Sequence, residues 1–163
     1  MAKFDFTIPK EVMDDIKTIY NNVDEIFGGM TQAGAEVVMQ NVKANVPVSE
    51  MAQHVKVSRV YKTPSDDGVN TKIYISGYFK FPEGRTTFTR RAGGRLYTAT
   101  KGIPAPFIAN LFEYGTSQRQ TDAGANRGKM PKRPFFRKSF KKSQIEKAML
   151  DAQKKLSGGL LDE

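Results

Sequence analysis

Apolar side chains recur at Val12, Ile16, Ile19, Val23, Phe27, Met30, Val37, Val38, Val42 and Val46, in steps of three, four and seven. That spacing places them along one stripe of a helix and predicts a helical segment over 8–46. Thr7 stands where a cap is wanted and Pro9 fits the first turn. Glu11, Asp14 and Asp15 follow, where a helix N-terminus favours negative charge. Pro47 ends the pattern, because the residue before a proline avoids the helical region. Gly28-Gly29 interrupts the stripe and leaves two readings open: one long helix bent there, or two helices that meet.

The period then shortens. Val55 and Val57 alternate with polar residues, Val60-Tyr61 follow, and Ser65-Asp66-Asp67-Gly68 is a turn signal. The run from Lys72 to Phe79 reads as the partner strand. Thr86–Thr89 and Leu96–Thr100 read as a second hairpin, with Arg90-Arg91-Ala92-Gly93-Gly94-Arg95 at its tip. These segments predict an antiparallel sheet of three to four strands over 54–101. Pro104-Ala105-Pro106 opens a short helix over 105–114, which Gly115 terminates. Residues 117–129 carry no large apolar side chain and read as a mobile loop. Pro134 opens a last helix over 134–157, with Phe136, Phe140, Ile145, Met149, Ala152 and Leu156 on its apolar face. The predicted fold is α+β: a small antiparallel sheet packed by a long N-terminal helix and a C-terminal helix, in a single domain over 1–163.

Several function classes find no support. Cysteine is absent, which removes disulfides and thiolate metal sites. No run approaches the roughly 20 apolar residues of a membrane span, and the first residues have no signal-peptide core; the expectation is a chain that stays in the cytoplasm where it is made. His54 is the only histidine, with neither a cysteine to activate nor a second histidine to share a metal, so it reads as a packing residue. Asp14-Asp15 and Asp66-Asp67 lie on a helix and in a turn, without the apolar surroundings that tune a general acid. Ser139 and Ser143 have no base nearby in sequence. The expectation is no catalytic residue, no metal, no cofactor and no small-molecule substrate.

Charge is more informative. The net charge is +9, but residues 1–52 hold four basic and eight acidic side chains, and the remainder twenty-two and nine. Arg85, Arg90, Arg91, Arg95 and Lys101 crowd the second hairpin, and nine more cations fill 119–142 against Asp122 alone. Such a pattern suits phosphate backbone, or an acidic protein surface that includes the N-terminal part of a neighbouring copy. Phe88, Tyr97 and Phe135 read as core aromatics before they read as platforms for stacking bases.

Glu113-Tyr114-Gly115-Thr116, a polar loop, and then Pro131-Lys132-Arg133-Pro134-Phe135-Phe136 make the most specific pattern in the chain. Over residues 104–140 it resembles the head–tail joining proteins of long-tailed bacteriophages, the neck or tail-completion group to which minor tail protein Z is related. The wider layout of helix, sheet, short helix and final helix is similar as well. The chain departs from the family's Pro-x-x-Thr-Gly after the first helix, having Pro47-Val48-Ser49-Glu50-Met51 there.

The resemblance implies a virion component without catalytic activity, made in the bacterial host cytoplasm. It would form a homo-oligomeric ring at the head–tail junction and meet other connector or tail proteins there. The motif residues Glu113, Tyr114, Gly115, Thr116, Pro131, Arg133, Pro134 and Phe135 would build its docking surface. The basic hairpin would make weak, salt-dependent contact with passing DNA. Within the motif, a bidentate Glu113–Arg133 pair and a Tyr114–Phe135 contact are expected to close the base of the loop. A tail terminator that caps the tube and a nucleic-acid-binding module are the alternatives.

Overall fold

The computed structural model describes residues 9–65, 68–120 and 124–158. In chain order the elements are α1 (Lys10–Asn45), a 3-10 turn (Ser49–His54), β1 (Val55–Val57), β2 (Tyr61–Thr63), β3 (Gly68–Asn70), β4 (Ile73–Ile75) and β5 (Tyr78–Phe79). There follow β6 (Phe88–Ala92), β7 (Arg95–Ala99), β8 (Ile103–Pro104), α2 (Ala105–Tyr114), β9 (Arg119–Gln120) and β10 (Asn126–Gly128). A second 3-10 turn (Arg137–Ser139) and α3 (Lys142–Leu156) complete the chain. No helix among the described residues is long and apolar enough to cross a membrane.

The fold is α+β, with long N-terminal and C-terminal helices and small antiparallel sheets. In place of one sheet of three to four strands, the described strands form five two-stranded ladders: β1–β4, β2–β3, β5–β8, β6–β7 and β9–β10. Strands of two to five residues, set off by Gly77, Pro82, Gly84 and Gly102, are too short and too often redirected to share continuous edges. The predicted pairing across residues 58–72 is present as two ladders, β2–β3 and β1–β4, while the Asp66-Asp67 turn lies outside the described residues. Hydrogen bonds between Ser58 and Lys72 bridge the start of the β1–β4 ladder.

Contacts divide the chain into two compact units. The first takes residues up to Ala35, Arg59–Thr71 and those from Lys142 onward. Here Gly28-Gly29 does not break α1, which runs through both. The missing side chains are used for close approach instead. A Cβ at Gly29 would collide with Leu156, one at Gly34 would lie 3.1 Å from Met149 Cγ, and one at Gly28 would meet Val60 at 3.4 Å. So α3 and the β2 edge reach the α1 backbone. Thr71 Oγ1 donates to Thr31 Oγ1, and Lys62 pairs with Asp24.

The predicted apolar stripe of α1 is only partly a core. In this unit its Ile19, Val23 and Met30 are half-buried and Val12, Ile16 and Phe27 are exposed, whereas Ile26, which lies outside the stripe, is buried; Met13 and Tyr20 are exposed as well. Helical periodicity marks a face that wants cover; it does not say that the same chain supplies the cover.

The second unit takes Glu36–Ser58 and Lys72–Lys141. Val38 and Val42 of α1, Met51, Val55, Phe88, Ala105, Ala109 and Phe135 are its buried apolar residues. Met51, in the 3-10 turn that follows Pro47, is fully buried. The β6–β7 hairpin turns on Gly93-Gly94, both at positive φ, which matches the two-residue turns that follow strand twist. Its ladder extends further than the sequence suggested: Arg90 and Arg91 lie in β6 and Arg95 begins β7.

Residues 117–129 are likewise not a featureless loop. Arg119–Gln120 pair with Asn126–Gly128, and Asn126 Oδ1 accepts from Gln118 Nε2 and from the Gly128 N–H. The predicted helix over 134–157 is also revised. Pro134 opens a short turn, Phe140 leaves the helical region (φ −82, ψ 83), and α3 begins only at Lys142. At the break, side chains take backbone acceptors. The Ser139 hydroxyl donates to the Phe135 carbonyl at 2.6 Å, while the Ser139 carbonyl is taken by Asn41 Nδ2 at 3.3 Å.

Candidate functional site

The two halves of the motif meet in the second unit. Helix α2 ends at Tyr114, and Gly115 turns the chain with φ 73 and ψ −169, a region that essentially only glycine occupies. A Cβ there would lie 2.7 Å from the Met130 carbonyl and 3.1 Å from the Lys132 nitrogen. Thr116 and Met130 are bound reciprocally: the Thr116 N–H donates to the Met130 carbonyl, and the Met130 N–H donates to Thr116 Oγ1, both at 3.0 Å. Pro131 follows, without an N–H to extend the pairing. The Arg133 N–H then donates to the Phe112 carbonyl at 2.7 Å, satisfying a helix-end acceptor.

Glu113 is the centre of this closure. Its side chain is 7% exposed, on the inner face of α2. Oε2 accepts the Phe136 N–H at 3.0 Å. Oε1 accepts the Arg137 N–H at 3.3 Å and Arg137 Nε at 3.1 Å. The carboxylate thus caps the unsatisfied N–H groups of the turn that starts after Pro134, as an acidic cap does at a helix start.

The expected Glu113–Arg133 pair is therefore replaced by Glu113–Arg137. Arg133 lines a groove with Lys132, Lys138 and Lys141, whereas the turn at 135–136 brings Arg137 Nε to the carboxylate. The Tyr114 ring, largely exposed, packs not on Phe135 but under the Arg137 guanidinium, 4.8 Å from the ring centroid. Phe135 is buried, with Phe136 edge-on to it at 6.4 Å between centroids.

Three residues that the sequence reading did not single out together lock the same segment onto α1. Asn41 and Asn45, four apart on one helix face, reach the Ser139 carbonyl and hydroxyl respectively. Ser139 is fully buried. The signal was available in the asparagines' i, i+4 spacing, but their partner lies 94 to 98 positions away.

Beside this closure lies an open groove of about 560 Å³. Lys132, Arg133, Lys138 and Lys141 bound it, and Asn45, Pro47, Pro134 and Phe135 form the remaining wall. The side chain of Arg133 thus belongs to a cationic surface.

The five hairpin cations do not form one face. The Arg85 guanidinium lies over Phe88 at 5.7 Å, and that of Arg90 over Phe107 and Tyr97 at 5.6 and 6.0 Å. Arg91 sits opposite Leu96 on the other face of the ladder, Arg95 is at the tip, and Lys101 lies in the turn before β8. Phe88 itself is buried against Phe107, so it is a core aromatic.

His54 is a packing residue: Nδ1 donates to the Ser76 carbonyl at 3.1 Å, and the ring lies 4.9 Å from that of Phe79. No family model, curated protein or solved structure matches the chain.

Proposed function

We propose that the chain is a non-enzymatic structural protein of a tailed bacteriophage, a ring-forming neck or tail-completion component that joins head and tail in the virion. The observation that supports this reading best is the closure of the two motif halves through Glu113, which joins the end of α2 to the Pro134–Arg137 turn. The residues by which the chain resembles the joining proteins are thereby one structural unit. The reciprocal Thr116–Met130 bonds close the base of the segment that carries β9–β10, while the cationic groove opens alongside. A protein that works by shape and charge needs such a base, because a docking surface must be preorganised to bind without a large ordering cost.

Electron microscopy of particles made by a phage genome lacking this coding sequence tests the reading. Separate full heads and finished tails are the expected result. Overlong tails would assign a terminator role instead, and intact infectious particles would overturn the proposal. Nanomolar DNA affinity with a steep salt dependence in the purified protein would favour a nucleic-acid-binding module.

A further inference from the structure

Two features of the molecule have no ion-pair partners among the described residues, and each has what the other lacks. The first half of α1 carries the acids Glu11, Asp15 and Glu25, none of them ion-paired among the described residues. Val12, Ile16 and Tyr20, the last 78% exposed, form a second face about 140° round the helix from these acids, with Asp15 the acid nearest to it. An amphipathic helix with an uncovered apolar stripe marks an interaction surface. The groove of the second unit has the opposite character. Lys132, Arg133, Lys138 and Lys141 bound it, and no ion pair engages any of the four among the described residues.

We propose that the N-terminal half of α1 docks into the Lys132–Lys141 groove of a second copy of this chain. The acids of the helix then meet the cations of the groove, and its apolar stripe meets Pro47 and Pro134. Those prolines favour a helix over nucleic acid as the occupant: a phosphodiester backbone makes no use of an apolar wall. The contact joins two different surfaces, so it is heterologous, and copies add head to tail into a ring or an open filament. The inference rests on the ring reading above for the closed outcome and deepens it by naming the surfaces through which copies meet.

Charge exchange in the purified full-length protein tests it. Sedimentation velocity across protein concentration and salt reads assembly, and circular dichroism checks that each variant folds. Wild-type chain is expected to assemble, more weakly at high salt. Glu11→Lys with Asp15→Lys, and separately Lys132→Glu with Lys138→Glu, are each expected to weaken assembly by about tenfold or more through like-charge contact. Mixing the two variants is expected to restore a complex, since each supplies the surface that the other has lost.

Two outcomes would overturn the proposal: a wild-type chain that stays monomeric at all concentrations, or assembly that ignores both reversals. So would a groove reversal that abolishes binding of a fluorescent 20-base-pair duplex, as the probe, while leaving assembly intact, for the groove would then be a phosphate site. Restored assembly in the mixture, together with intact particles from the deletion genome, would leave the contact standing and remove the neck role.

Discussion

Glu113 and Phe136, 23 positions apart, are joined by a 3.0 Å hydrogen bond from the Phe136 N–H to the buried carboxylate Oε2. With the two bonds from Arg137, that carboxylate takes three donors from one turn. Charge-assisted bonds of this kind are stronger than neutral ones, and burial raises the cost of leaving either side unmatched.

Glu113→Ala is expected to destabilise the chain by roughly 2–4 kcal/mol, because it strands two backbone N–H groups and frees Arg137. Glu113→Gln keeps an acceptor oxygen and is expected to cost about half as much. Urea unfolding midpoints at constant m-value check both. An alanine variant that unfolds with the wild type would show that the carboxylate contributes nothing to the closure.

Gly115→Ala forces a Cβ to within 2.7 Å of the Met130 carbonyl at a positive φ. The expected loss is about 2 kcal/mol or more, from backbone strain and the opened Thr116–Met130 pair. Amide exchange of Thr116 and Met130 reads the local effect: both are expected to exchange faster in the variant, before global unfolding.

Ser139 and Asn45 form the third relationship open to test. Ser139→Ala removes both the donor to Phe135 and the acceptor for Asn45. Each single alanine change is expected to cost about 1–2 kcal/mol, and the double change less than the sum, since the two share one bond. A double-mutant cycle by thermal unfolding measures the coupling. Strict additivity would mean that the asparagine acts alone.

The local rules were legible in the chain. Steps of three and four located α1 to within two residues of Lys10 and one of Asn45, because helix geometry repeats along the chain itself. Gly93-Gly94 marked the tip of the second hairpin, though not how far its ladder runs, and Gly115 ended α2 as expected, since both follow from backbone sterics at single residues. That the two halves of the motif meet was likewise expected from the residues flanking the loop.

Only the tertiary structure decided which partner each group takes. Arg137 rather than Arg133 reaches Glu113, because the turn at 135–136 brings Arg137 to the carboxylate while Arg133 lines the groove. Gly28-Gly29 turned out to admit Leu156 and Val60 instead of breaking a helix, and the helix that periodicity had run from 134 is interrupted at Phe140. Sequence periodicity carries the propensities of neighbours along the chain. The choice among cations, and between glycine as breaker and glycine as contact, depends on distances across the fold, which no local rule contains.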